Sequence, residues 1–250
     1  MPKVLVNDSS LTNIANSIRT KLGVQTSYTP SQMSGAIDSI PSASLVEAEF
    51  IKMVERQSNA SITIPNGVTT IGASAFSNYA GLVSVNFPNG VTSIGNYAFN
   101  NCTNLALTSL PNGISSIGNA AFQSCTNLAL TSLPSGITSI GESTFYRCTN
   151  LALTSLPSGI TTVGYNAFNE CRKLALTGLP SGVKRIDSSA FAYCYGLTTL
   201  TFEGTPTSIA SNAFNLCTNL TTINVPWSQG AVANAPWGAT NATINYNYTG

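Results

Sequence analysis

Pro88-Asn89-Gly90-Val91-Thr92-Ser93-Ile94-Gly95-Asn96-Tyr97-Ala98-Phe99-Asn100-Asn101-Cys102-Thr103-Asn104-Leu105-Ala106-Leu107-Thr108-Ser109-Leu110 is one unit of a pattern that recurs every 23 residues. Phe76, Phe99, Phe122, Phe145, Phe168, Phe191 and Phe214 keep that spacing, and so do Leu82, Leu105, Leu128, Leu151, Leu174, Leu197 and Leu220. A third column reads Ile71, Ile94, Ile117, Ile140, Val163, Ile186 and Ile209. A period in this range marks a stacked array, because one short unit cannot bury Phe, Ile and Leu alone, whereas neighbours on top of each other turn each column into a continuous core.

Within a unit, Pro-Asn-Gly and its variant Pro-Ser-Gly are turn signals, Val-Thr-Ser-Ile is a short extended piece, and Gly95 permits a bend. Ala98-Phe99 is expected to begin a single helical or 3₁₀ turn, and residues 105–110 to return as a strand. The prediction is a repeat solenoid of seven 23-residue coils with a parallel strand ladder. In the outer units the returning segment runs Leu-x-x-apolar-x-apolar, as in Leu82, Val85 and Phe87. The middle four read Leu-Ala-Leu with Leu107, Leu130, Leu153 and Leu176 at the place of Ser84, Thr199 and Thr222. Either a bulge tucks these leucines in, or they form an exposed stripe; the bulge is favoured because a long exposed apolar row invites aggregation.

The run Leu-Pro-x-Gly-Ile-x-x-Ile-Gly-x-x-x-Phe-x-x-Cys-x-x-Leu, spelled out from Leu133 to Leu151, resembles the BspA-type leucine-rich repeat of bacterial surface proteins, protist surface proteins and phages. The likeness covers residues 64–225. It implies a right-handed solenoid with a parallel ladder on one face, used mostly for adhesion and recognition. It says less about function, since one fold hosts many.

Only 8% of residues are charged, against about 25% in ordinary domains, so solubility falls to Ser, Thr, Asn and Gly. Ten charges lie between Lys3 and Arg56 and nine between Glu142 and Glu203, with none from Gln57 to Gly141. A net charge of +1 with such uncharged tracts argues against nucleic acid as a partner, because phosphate binding needs a field of Lys and Arg. No apolar run approaches the ~18–20 residues of a membrane span, so no membrane insertion is expected. The apolar stretch of Val4-Leu5-Val6 is too short for a secretory signal. The expectation is a protein made in the bacterial cytoplasm without a signal peptide.

Cys102, Cys125, Cys148, Cys171, Cys194 and Cys217 share one repeat position, filled by Tyr79 in the first copy. A place that accepts Tyr is a packing place, so these read as a buried ladder of free thiols rather than disulfides. A linear ladder cannot converge tetrahedrally, which argues against zinc or another metal. With no His, scattered carboxylates and no phosphate-cradling loop, no catalytic residue or cofactor is assigned, and the chain is expected not to be an enzyme.

Residues 1–43 carry helical spacing instead. Leu11, Ile14, Ile18 and Leu22 fall on one face, and Thr29-Pro30-Ser31-Gln32 starts a second short helix through Met33 and Ile37. This small helical hairpin is assigned as an attachment and oligomerisation module; a simple cap on the array is the plainer alternative. Its runs Asp8-Ser9-Ser10-Leu11-Thr12-Asn13-Ile14-Ala15 and Thr29-Pro30-Ser31-Gln32-Met33 resemble a module near the N-terminus of prophage-encoded virion proteins. Residues 44–63 are read as the N-terminal cap of the solenoid. Residues 226–250, with Trp227, Trp237 and an alternating strand across 243–248, are read as its C-terminal cap, and also resemble tails of phage repeat proteins. The sequons at Asn241 and Asn247 are read as coincidental.

One stretch of surface departs from the Ser/Thr/Asn background. Tyr146, Arg147, Tyr165, Arg172, Lys173, Lys184, Arg185, Tyr193 and Tyr195 gather in three successive units, and Tyr and Arg are the commonest anchors of recognition. Arg147, Glu170 and Tyr193 share one repeat position and should stack. The plainer alternative is solvated substitutions with one incidental ion pair. Together these features suggest a phage or prophage virion structural or accessory protein, a fibre or decoration subunit. Its N-terminal module would hold other virion proteins or a second copy, and its solenoid would meet a host surface protein or glycan. A bacterial cell-surface adhesin, or a spacer with no ligand, are the alternatives.

Overall fold

The computed structural model describes residues 60–250; the expected helices carrying Leu11, Ile14, Ile18, Leu22, Met33 and Ile37, and most of the predicted N-terminal cap, lie outside them. Over the described residues the chain winds through about eight coils, with every recorded strand pair parallel. The strands form two ladders. One follows the isoleucine column: β2 (Thr70–Ile71), β4 (Ser93–Ile94), β5 (Ser116–Ile117), β6 (Ser139–Ile140), β7 (Thr162–Val163), β9 (Arg185–Ile186) and β11 (Ser208–Ile209). The other follows the returning segment: β1 (Ala60–Thr63), β3 (Leu82–Asn86), β8 (Gly178–Leu179), β10 (Thr199–Phe202), β12 (Thr222–Asn224) and β13 (Thr243–Asn245).

Registers such as Ser93↔Ser116 and Thr199↔Thr222 keep the 23-residue step. Identical side chains are thereby set one strand spacing apart, about 4.8 Å. All seven column phenylalanines are buried, and their rings stack at 5.0–5.7 Å between centroids with planes within 11° of parallel. Those separations slightly exceed the coil spacing, which is the offset stacking that aromatic quadrupoles favour. The leucine column from Leu82 to Leu220 is fully buried beside it.

The segment around each Phe differs from the expected helical turn. Ala98, Asn100 and Cys102 each donate an N–H to the carbonyl three residues back, while the intervening Tyr97, Phe99 and Asn101 donate to Asn119, Ala121 and Gln123 of the next coil. These are tandem β-turns, with the left-handed third residue of a type II turn at Tyr97 (φ 57°) and Asn101 (φ 58°). A helix would point every N–H along its own axis; alternation sends half of them to the neighbouring coil, so no backbone donor is wasted in a one-coil-thick wall. Gly95 leads into these turns because the coil below is too close for a side chain there: a Cβ would lie 2.7 Å from the Ala73 nitrogen.

The returning segment also departs from expectation in the middle coils, where residues 105–110, 128–133 and 151–156 are not strands. Leu107, Leu130, Leu153 and Leu176 are buried, and the following threonines Thr108, Thr131, Thr154 and Thr177 are exposed. Burying Leu105, Leu107 and Leu110 together breaks the two-residue alternation of a strand. The hydrogen bonds record the slip: Ala106 N reaches Val83 O, one coil earlier in step, but Ala129 N reaches Leu107 O, one residue further along. The inward arrangement therefore holds, and no leucine stripe is displayed.

Residues 226–250 add the last coil. Trp237 lies 23 residues after Phe214 and is fully buried, and with Trp227 and Phe202 it forms an aromatic cluster over the end of the phenylalanine stack. The expected strand across 243–248 is shorter, Thr243–Asn245, and Asn247 turns left-handed (φ 55°) just beyond it. Replacing Phe145 with Ala removes the central ring of the stack and should destabilise the fold by about 3–5 kcal/mol, measurable as a lowered urea midpoint.

Candidate functional site

Two columns of the solenoid carry chemistry-bearing side chains, one inside and one outside. The inner one is the cysteine ladder. All six thiols are free and buried, and each donates to the carbonyl of the phenylalanine one coil earlier, from Cys102 Sγ to Phe76 O at 3.0 Å through Cys217 Sγ to Phe191 O at 2.9 Å. Those carbonyls also accept turn amides, as Phe76 O does from Tyr79 N at 3.1 Å. Burial pushes every one of these thiols up, Cys102 and Cys217 to about 12, and Cys125, Cys148, Cys171 and Cys194 upward for the same reason. A thiol so held has almost no thiolate and is a poor nucleophile and metal ligand.

The outer column is the second left-handed position of the tandem turns: Asn78, Asn101, Ser124, Arg147, Glu170, Tyr193 and Leu216, with φ between 56° and 62°. Side chains here are exposed or half-buried. Bulky non-glycine residues rarely adopt this conformation, at a cost of about 1–2 kcal/mol each. The inter-coil bonds compel it: Arg147 N donates to Asn169 O, Glu170 N to Ala192 O, and Tyr193 N to Asn215 O, all at 2.8–2.9 Å. Asn78 and Asn101 join through their amides at 2.8 Å.

The expected stacking of Arg147 on Glu170 is present, with Nε donating to Oε1 at 3.0 Å. Glu170 also faces Arg172, Oε2 to Nη2 at 3.7 Å. Arg147 lies over the Tyr146 ring at 5.0 Å and Arg172 over Tyr195 at 6.0 Å, and Tyr195 meets Tyr193 edge to face at 6.5 Å. One carboxylate thus serves two guanidiniums, each more than half exposed, so the group keeps net positive charge beside three tyrosines. Exposed Lys173 follows Arg172 in the chain. Such a set offers charge-assisted donors and flat rings to an anionic or hydroxyl-rich ligand.

The structure divides the nine predicted residues. Tyr146, Arg147, Arg172, Tyr193 and Tyr195 join through Glu170 or one another. Lys184 and Arg185 belong instead to the isoleucine ladder, where Arg185 pairs with Asp187 at 3.3 Å. Tyr165 is 48% exposed at the start of the turns and makes none of these contacts. Leu216, 45% exposed, continues the outer column past Tyr193, and Tyr97 is displayed at the other left-handed position. Sequence reading passed over both; the 23-residue register of Leu216 with Arg147 and Tyr193 was the available signal.

The thiols also set an alkaline limit. Folded thiols keep their protons to higher pH than unfolded ones, which ionise around the ordinary value of 9.0. Their contribution is therefore intact below pH 9 and is lost as pH rises toward 12. The urea midpoint should fall steeply above pH 9, and less steeply once Cys125 and Cys148 are replaced by Ala. A midpoint independent of pH across that window contradicts the buried ladder.

The BspA type leucine-rich repeat region matches this chain in six copies over residues 54–175 and 130–235. Similar solved structures include a leucine-rich repeat protein from Bacteroides ovatus (22% identity, 75% of this chain and 60% of that chain covered, TM-score 0.46). Others are a leucine-rich repeat protein from T. pallidum (26%, 66% and 71%, TM-score 0.41) and a leucine-rich cell surface protein from Faecalibacterium prausnitzii (25%, 76% and 63%, TM-score 0.38). The chain spans 60% of the length of the first of these. No curated protein matches the sequence. With its 23-residue coils, phenylalanine stack and thiol ladder matched by that repeat over most of its length, the chain belongs to the BspA-type leucine-rich-repeat family.

Proposed function

We propose that this protein is a non-enzymatic recognition protein whose solenoid contacts a surface protein or glycan through the cluster of Tyr146, Arg147, Glu170, Arg172, Tyr193 and Tyr195. The observation that carries the reading is the meeting of two exposed guanidiniums on one carboxylate, with Tyr146 under Arg147, Tyr195 under Arg172 and Tyr193 against Tyr195, on a solenoid whose described residues 60–141 carry no charge. Tyr and Arg anchor recognition because they supply large contact area and fixed hydrogen-bond geometry at modest entropic cost. Exposed Lys173, next to Arg172 in the chain, adds positive charge beside it.

The setting we favour is a phage or prophage particle, with the chain as a fibre or decoration subunit. In that setting residues 1–43 attach to other virion proteins, or join copies of this chain, through Leu11, Ile14, Ile18, Leu22, Met33 and Ile37. The likenesses of the two terminal segments to phage proteins support it. The repeat family itself favours a second reading, a bacterial cell-surface adhesin. Both use the same recognition surface and differ in what the N-terminal residues hold.

Replacing Arg147 and Tyr193 together with Ala should abolish binding of the full chain to intact bacterial cells or to a glycan array, while the thermal midpoint moves little, since exposed pairs contribute only about 0–1 kcal/mol. Unchanged binding by a folded variant removes the cluster as the contact surface. Mass spectrometry of purified particles against cell envelopes separates the two settings. Light scattering of the full chain against one beginning at Ser44 tests joining of copies: a drop to monomer mass on truncation is expected, and equal masses per chain count against it.

A further inference from the structure

Three of the exposed turns carry a reactive dipeptide. Asn66-Gly67, Asn89-Gly90 and Asn112-Gly113 occupy one repeat position in consecutive coils, the next three copies carry Ser135, Ser158 and Ser181 there instead, and the last carries Gly204. The turns are closed by Val68 N to Pro65 O at 3.4 Å, Val91 N to Pro88 O at 3.3 Å and Ile114 N to Pro111 O at 3.1 Å. Asn and Gly are therefore the two central residues, and both are exposed at the tip. Among the described residues, neither the three Asn side chains nor the three Gly amides make a hydrogen bond.

We propose that Asn66, Asn89 and Asn112 are sites of spontaneous deamidation and isomerisation in the folded protein. The glycine nitrogen attacks the asparagine Cγ. The new N–Cγ bond closes a five-membered imide, the Cγ–Nδ2 bond breaks, and ammonia departs with the amide proton. Water then opens the imide at either carbonyl, leaving aspartate or isoaspartate. The step needs a free nucleophilic amide, an unheld side chain and no bulk on the following residue.

All three conditions meet at these turns. A Cβ at Gly67 would find nothing within 4 Å, and at Gly90 or Gly113 only carbonyl oxygens at 3.5–3.7 Å, so no neighbouring side chain crowds the glycines at these turn tips. Other asparagines fail at least one condition. Asn119 precedes Ala120, and its side-chain oxygen accepts from Glu142 N at 3.0 Å; Asn101 precedes Cys102 and donates to Asn78 at 2.8 Å.

The consequence is electrostatic. Residues 57–141 carry no charge, and conversion places up to three carboxylates in a single column, one coil spacing of about 4.8 Å apart. The net charge of +1 becomes negative, and a negative stripe appears in the half of the solenoid that precedes the Arg147 cluster.

The full chain is incubated in mildly alkaline buffer at 37 °C and followed by isoelectric focusing, peptide mass mapping and enzymatic methylation of isoaspartate. The expected result is an acidic ladder of up to three steps, with amide-to-acid conversion many-fold faster at Asn66, Asn89 and Asn112 than at Asn101 or Asn119. N66S/N89S/N112S, which copies the later repeats, should lose the ladder. G90A/G113A should slow Asn89 and Asn112 while Asn66 continues. Conversion in urea but not in the folded chain, or equal rates at all five asparagines, overturns the proposal.

Discussion

Each coil of this protein depends on the next to accept its backbone hydrogens. In the tandem turns every second amide leaves its own coil, and the carbonyl of each column phenylalanine from Phe76 to Phe191 receives both an amide from its own turn and a thiol from the following coil. A residue inserted within a turn would move the donors that follow it in that turn off their acceptors in the next coil. The 23-residue period is a hydrogen-bonding constraint first and a hydrophobic one second. At Leu107, Leu130 and Leu153 the inter-coil bonding slips by one residue, and strand structure is lost there.

The cysteine column shows how polar and apolar demands meet in so thin a core. A methyl group would fill similar space, but the Phe carbonyl has a second lone pair facing inward, and a weak S–H donor meets it without importing a strongly hydrated group. Burial then removes the reactivity of the thiol. Tyr79 occupies the same position in the first copy.

The same turns decide what the protein displays. Left-handed backbone at Arg147, Glu170 and Tyr193 is tolerated because the peptide entering each residue is bonded to both neighbouring coils, and Leu216 continues the column at the last of these turns. It turns those side chains to solvent in one column, where Arg147 and Glu170 meet in register. A recognition surface can therefore change from coil to coil without touching the core.

Identical side chains at a fixed spacing share an environment only when coils stack, so the solenoid, its period, the three apolar columns and the thiol ladder are all legible in the order of residues alone. That order also placed Arg147 on Glu170, which follows from register alone. Tertiary structure decided the rest. The segments around Ala98-Phe99 became left-handed tandem turns rather than helical ones, since neighbouring coils claim alternate amides and no glycine announces the positive φ. The choice between burial and display of Leu107, Leu130, Leu153 and Leu176 turned on whether alternation could be broken, which depends on the carbonyls of the adjacent coil. The patch itself separated into a joined cluster in the turns and a Lys184–Arg185 pair at the isoleucine ladder, because proximity along the chain does not say which part of a coil a residue occupies.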